Sequence, residues 1–201
     1  FGEINNIGLS QCLTIYGNRP QKKHTLYQNI NRLGVQEKLT VSNSKLLIKK
    51  LDFKPKSGFL KNDKNKLNEY SDFFIESVRS RASKSGNIVF LSSGWDSTSI
   101  LAVLVHLFGP SKVKCVIGRM KYSKRSGIIN QFELDRAKKI ADYLGTNHRD
   151  IKIDEDEYID IIKKMSEVYC EPFSDSSQVP TFAITKFASE YTRVCLSGDG
   201  G

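Results

Sequence analysis

The stretch Asn87-Ile-Val-Phe-Leu-Ser-Ser-Gly-Trp-Asp-Ser-Thr-Ser99 joins one apolar run to another through a turn of hydroxyls, a glycine and a single acid. Val89, Phe90 and Leu91 form a short apolar segment bounded by polar residues, the pattern of a buried strand. Ile100, Leu101, Val103, Leu104, Leu107 and Phe108 follow at the spacing of a buried helix face. The turn is therefore expected at the carboxyl end of a strand and the amino end of a helix. Unpaired backbone N–H groups and the positive helix terminus favour an anion there, and Ser92, Ser93 and Ser97 add hydroxyl donors. The stretch reads as a phosphate cradle.

What the turn lacks narrows its chemistry. A Walker-type loop needs Gly-x-x-x-x-Gly-Lys-Ser/Thr, whose lysine meets the β and γ phosphates, and no lysine stands in this turn. Asp96 repels a phosphate unless a cation lies between them, so it reads as a magnesium ligand bridging to a nucleotide. Ser92, Ser93, Gly94, Trp95, Asp96 and Ser97 resemble the Ser-Gly-Gly-x-Asp-Ser pattern of the PP-loop ATP pyrophosphatases. That family cleaves ATP between the α and β phosphates and holds the departing pyrophosphate in the loop. Ser93 stands where the family has glycine: it costs on the order of 1 kcal/mol if its φ is positive, and simply adds a donor if φ is negative. Trp95, at the variable position, is read as filling the core, with a wall of the substrate pocket as the alternative.

Three further segments sharpen the resemblance. Asp142-Tyr-Leu-Gly-Thr-Asn-His148, Glu171-Pro-Phe-Ser-Asp-Ser-Ser-Gln-Val-Pro180 and Val194-Cys-Leu-Ser-Gly-Asp-Gly-Gly201 follow the loop in the order and spacing of the asparagine synthetases. The likeness covers Leu67 to Gly201, and more faintly the N-terminal stretch. It implies an α/β fold, a doubly wound parallel sheet of the adenine nucleotide alpha hydrolase-like, PP-loop type, with a small N-terminal β remnant. It also implies ATP and Mg2+, with Asp96 as metal ligand and catalytic residue. Phe90, Ile117, Ser197 and Gly198 are expected against the adenine at the strand tips, alongside the loop residues Ser92, Ser93, Gly94, Asp96 and Ser97. Core packing is the alternative role for Phe90 and Ile117, and the two roles are compatible. Asp199 is expected to orient the amine nucleophile or take its proton, a turn aspartate between glycines being the alternative.

The division expected is 1–53 as the C-terminal remnant of a glutamine amidotransferase domain, 54–66 as linker and 67–201 as a C-terminally truncated synthetase domain. In the remnant, Lys38-Leu-Thr-Val-Ser42 and Lys45-Leu-Leu-Ile-Lys-Lys50 read as strands turned by Asn43 and Ser44. The family's glutaminase nucleophile is an N-terminal cysteine, whereas this chain starts at Phe1 and its first cysteine is Cys12, so glutamine hydrolysis by this chain is not expected. Past Gly201 the family continues with Asp-Glu, the first sharing magnesium with the loop aspartate, and with a lysine that stabilises the transition state. The chain is accordingly expected to bind nucleotide weakly without completing the reaction.

Between these ends, 52–68 is rich in Lys, Asn, Gly and Pro and reads as a connection. A helix follows, with Leu67, Tyr70, Phe73, Phe74, Ser77, Val78 and Arg81 on one face and Gly86 as a stop. Gly109-Pro110 breaks the next helix, 112–118 reads as a strand, 131–144 as a helix ended by Gly145, and 148–153 as a strand. Helices over 155–169 and 179–191 and a strand over 193–197 complete the alternation. Such alternation implies a parallel sheet with ligands at the carboxyl ends of its strands, where Asp96, Gly118 and Asp199 are expected. Glu171, Asp175 and Ser176 are placed around the acceptor acid, Asp175 equally as a helix cap.

The 201 residues are 39% hydrophobic, enough for one globular domain and a remnant, and contain no apolar run long enough to span a membrane. Cys12, Cys115, Cys170 and Cys195 include no Cys-x-x-Cys pair, and Cys115 and Cys195 fall in expected buried strands. They read as reduced core thiols of a cytoplasmic protein, which argues against the PP-loop tRNA sulfurtransferases. His24, His106 and His148 show no ligand spacing. The net charge of +9 keeps RNA in play, although the basic residues are scattered and read as a solvated surface. The function implied is ATP-dependent amidation of aspartate through β-aspartyl-AMP, with ammonia delivered from glutamine by a glutaminase domain of the same polypeptide and a homodimer left open. Relatives making β-lactams, lasso peptides or amidated surface sugars, and a degenerate nucleotide-binding homologue, remain alternatives.

Overall fold

The computed structural model describes residues 2–14, 23–52, 64–121, 131–169, 175 and 177–199. The chain divides into two units, Phe1–Phe59 with Lys163–Asp175 and Leu60–Ile162 with Ser176–Gly201. In the first unit, Asn5 caps helix α1 (Asn6–Leu13), its Oδ1 accepting from the N–H groups of Ile7 at 3.1 Å and Gly8 at 3.2 Å. Gly8 is required by close approach, because a Cβ there would lie 2.2 Å from the carbonyl oxygen of Thr25. Strands β1 (Glu37–Ser42) and β2 (Lys45–Lys50) pair antiparallel with Ser42 opposite Lys45. Asn43 and Ser44 both hold positive φ, 46° and 61°, as the tight turn of a two-residue hairpin demands.

The second unit begins with α2 (Lys64–Arg81), which starts inside the stretch read from sequence as a connection. Residues 53–63 of that stretch lie outside the described residues. Only the later part of α2 reaches the core: Val78 is buried and Phe74 packs beside it, whereas Leu67, Tyr70 and Phe73 of the expected apolar face are exposed. Strand β3 (Asn87–Phe90) then leads into α3 (Trp95–Phe108), which ends at Gly109 with φ 81° before a single 3-10 turn over Pro110–Lys112. Next come β4 (Val113–Met120), α4 (Gln131–Tyr143), β5 (Asn147–Ile153), α5 (Glu155–Val168), whose residues from Lys163 on are counted with the first unit, α6 (Gln178–Ser189) and β6 (Cys195–Ser197).

The sheet of this unit is parallel and four-stranded, in the order β5-β4-β3-β6. Leu101 and Leu104 of α3 and Ala137 and Ala141 of α4 pack on Val89, Leu91, Val113 and Cys115 on one face. Ile184 and Ala188 of α6 pack on Ile88 and Val116 on the other. Helices on both faces of a parallel sheet make the α/β architecture read from the alternation. The order also locates the switch point. The chain moves outward from β3 through β4 to β5, then returns to lay β6 on the opposite side of β3, so a crevice opens at the carboxyl ends of β3 and β6.

Two expectations about packing are corrected. Trp95 does not fill the core: it is the first residue of α3 and 84% exposed, on the side of the helix turned away from Ser97, Leu101 and Leu104. Cys195 is exposed, because β6 is a three-residue edge strand whose buried side chain is Leu196. Cys115 is buried as expected, and burial pushes its thiol up to about 11.

Candidate functional site

Both loops that the sequence singles out open at the switch point. The first is residues 91–97. Leu91 donates its N–H to the carbonyl of Val116 at 2.9 Å, which anchors the loop to the next strand. Ser97, 3% exposed, then clasps it: its Oγ accepts the N–H of Ser92 at 3.1 Å, lies 2.9 Å from the Ser92 Oγ, and is within reach of the carbonyl oxygens of Ser92 at 3.2 Å and Gly94 at 3.4 Å. The hydroxyl read as a phosphate donor is thus engaged within the loop. Gly94 donates its N–H to the Ser92 Oγ at 3.2 Å and caps the helix with φ −76°, ψ 159°.

Two glycine positions of the motif therefore have different physical reasons. Gly94 needs no special conformation, and a Cβ there would meet only the Ser92 Oγ at 3.2 Å, so the glycine leaves open space against the backbone. Ser93 is absent from the residues of positive φ, which settles the alternative left open above: serine is unstrained there and adds a hydroxyl. Among the described residues, the N–H groups of Ser93, Trp95, Asp96 and Ser97 have no backbone acceptor. They sit at the amino end of a 14-residue helix, the arrangement that attracts an oxyanion.

The second loop, 197–199, closes on the first. Phe90 is in register with Val116 on one side and Ser197 on the other, so all three lie in one row at the carboxyl edge. A Cβ on Gly198 would fall 2.7 Å from the Ser97 nitrogen and 2.9 Å from the Asp96 Cβ. Glycine is required there because the two loops touch. Asp199 donates its N–H to the Ser197 Oγ at 3.3 Å and keeps an exposed carboxylate. Phe90 packs against the α6 cluster and Ile117 is half-buried, so the structural role for Phe90 holds at the strand tip. Gly118 is not at a strand end but inside β4, facing α6, where a Cβ would lie 2.7 Å from Ile184 Cγ2.

The carboxylate of Asp96 is exposed in the first turn of α3 and has no hydrogen bond or ion pair among the described residues. No group of three or more His, Cys, Asp or Glu able to hold a metal occurs among the described residues. This donor set suits an ion such as magnesium, which takes one or two carboxylates and completes its shell with phosphate oxygens and water. Glu171, Ser176 and Cys170 lie outside the described residues. Thr98, which the sequence reading passed over, has a buried Oγ1 without a partner among the described residues, one turn into the same helix. The run of hydroxyls at 97–99 was its only signal.

Comparison with known proteins points to a family. The family model "Asparagine synthase" matches residues 69–201. The chain is 27% identical over 186 residues to a putative glutamine-hydrolysing asparagine synthetase 2 of Methanocaldococcus jannaschii, covering 89% of this chain and 34% of that protein. It is 31% identical over 111 residues to glutamine-hydrolysing asparagine synthetase 1 of Bacillus subtilis, covering 55% of this chain and 16% of that one. The chain thus spans about a third or less of these relatives' length. Among solved structures, a glutamine-dependent NAD+ synthetase from Acinetobacter baumannii in complex with ADP matches with a TM-score of 0.48 and 17% identity, over 75% of this chain and 27% of that one.

Proposed function

This chain belongs to the asparagine synthase family, and from that premise we propose that the two loops at its switch point activate a carboxylic acid with ATP for amidation. The observation that carries the reading is the contact of Gly198 with Asp96 and Ser97, which brings the two motif loops of separate strands into one crevice. The nucleotide lies at the tips of β3, β4 and β6, its adenine against Phe90, Ile117, Ser197 and Gly198. The pyrophosphate portion lies in the loop, on the N–H groups of Ser93, Trp95, Asp96 and Ser97 and the hydroxyls of Ser92 and Ser93. Asp96, together with the phosphates, would hold magnesium, which would supply positive charge opposite the charge that develops on the leaving group.

The acceptor carboxylate attacks the α phosphorus, pyrophosphate leaves into the loop, and an amine displaces AMP from the acyl-adenylate. No covalent nucleophile is required of these residues. Their contribution is position and fixed dipoles aimed at charge that develops on the departing group. Asp199, at the crevice rim, orients the amine or takes its proton. The names of the relatives support aspartate as acceptor, with glutamine as the source of ammonia through a glutaminase domain of the same polypeptide.

The test is magnesium-dependent exchange of pyrophosphate into ATP by the full-length protein, with and without aspartate. Aspartate-stimulated exchange, reduced at least a hundredfold in Asp96→Asn, is expected. Exchange with another acid only would redirect the substrate, and no exchange with any acid would overturn the reading.

A further inference from the structure

The sheet has a step at the crevice. β3 ends its pairing at Phe90 opposite Val116, but β4 runs on to Met120, paired there only with β5 through Gly118 with Ile151, Arg119 with Lys152 and Met120 with Ile153. The last residues of β4 therefore form a ledge beyond the tips of β3 and β6. Side chains alternate along it. Val116 and Gly118 face α6, while Cys115, and hence Ile117 and Arg119, face the side of α3 and α4, onto which the phosphate loop turns. At about 3.3 Å per residue, the Arg119 backbone stands about 10 Å beyond the Val116 row.

Arg119 is fixed in an unusual way for a residue at a rim. Its Nε lies 3.1 and 3.0 Å from the two carboxylate oxygens of Asp150, and its NH2 lies 3.0 Å from Oδ2. The carboxylate thus occupies the Nε side of the guanidinium. The opposite edge, NH1 with the outer N–H of NH2, has no partner among the described residues. A guanidinium clamped along one edge presents the other as a rigid two-pronged donor whose ordering is already complete. The side chain is 20% exposed and that of Asp150 30%, so the fork is partly screened from water yet open to a ligand.

Asp150 also cancels most of the arginine's long-range charge. What remains is short-ranged and directional, suited to gripping an oxyanion already docked at the strand tips rather than steering one in. We propose that Arg119 is a substrate-binding residue that takes an oxyanion of the bound reactants, with Asp150 as its positioning residue. The proposal rests on the reading of the crevice given above. The shared chemistry is a planar or tetrahedral oxyanion, supplied either by the nucleotide's phosphates or by a carboxylate of the acceptor that does not react.

Trp95, the chain's single tryptophan, stands in the loop and reports occupancy by its fluorescence. Titrations of the chain with magnesium-ADP, pyrophosphate and aspartate are compared for wild type, Arg119→Leu, Arg119→Lys and Asp150→Asn, with folding checked by circular dichroism. Arg119→Leu is expected to weaken at least one ligand tenfold or more, Arg119→Lys less so, and Asp150→Asn about threefold. If Arg119→Leu fails to fold, the double variant Arg119→Met with Asp150→Asn, which leaves no charge unpaired, carries the same expectation. Weakening confined to ADP and pyrophosphate assigns the oxyanion to the nucleotide; weakening confined to aspartate assigns it to the acceptor. Wild-type affinity for all three ligands in the arginine variants, or no binding of any by wild type, overturns the proposal. The reaction class stands or falls separately, on pyrophosphate exchange by the full-length protein.

Discussion

Single side chains decide whether the loop is intact. Ser93 occupies a family glycine position, and since its φ is not positive, the side chain relieves no strain by leaving. Ser93→Gly is therefore expected to lower stability by about 0.5–1 kcal/mol through added freedom of the unfolded chain, measured by urea unfolding. A stabilising effect would mean a left-handed backbone there. His148 tests burial in the same way. Its Nε2 is buried without a partner among the described residues, and burial lowers its pKa against the opposing pull of Asp150 and Asp142. Because the folded pKa is depressed, the unfolded chain binds more protons below about pH 6.5, and stability falls as the pH drops through that region. His148→Gln is expected to show a shallower loss of melting temperature between pH 7.5 and 5.5 than wild type. Equal slopes would place the imidazole in water.

At the scale of elements, Gly118 shows how one atom sets the spacing of a helix on a sheet. A Cβ at 118 meets Ile184 Cγ2 at 2.7 Å and the Pro180 carbonyl oxygen at 3.1 Å, and the latter is backbone and cannot rotate away. Gly118→Ala is expected to cost about 1–3 kcal/mol by pushing α6 outward, read from the denaturation midpoint. An unchanged midpoint would show that α6 is not held against β4. Alternation and turn chemistry made most of this unit legible. The strands, the helices and the breaks at Gly109 and Gly145, whose φ values are 81° and 69°, follow from local pattern. Local pattern could not show that Gly118 meets a helix more than sixty residues later, nor that Gly198 touches Asp96. It misjudged Trp95 because a large aromatic invites a core role, whereas the first position of α3 points it outward. It missed the Arg119 fork because pairing across β4 and β5 depends on register, which periodicity alone leaves undefined.

For the whole molecule, the excess of positive charge poses the main rival to a small-molecule function. The net charge is +9, and several of the described basic side chains are already engaged. Lys23 pairs with Glu37, Arg79 with Glu76, Arg119 with Asp150 and Lys138 with Asp142, and Lys114 lies 3.8 Å over the ring of Tyr191. Where basic residues do align, on the β1–β2 hairpin, Lys38 stands opposite Lys49, a repulsive pair on strands that carry no aromatic for a nucleobase to stack on. Scattered charge of this kind gives weak, salt-sensitive association with any polyanion. Titration with tRNA at about 0.15 M salt is therefore expected to give half-saturation no tighter than roughly 1 μM, within the usual range for non-specific binding, and to weaken steeply with added salt. ADP binding should change little over the same range if, as proposed, its phosphates are held by backbone N–H groups at short distance and little by the overall field. A submicromolar tRNA complex that survives competitor RNA would reverse the order of these ligands and make the crevice the active site of an RNA-modifying enzyme.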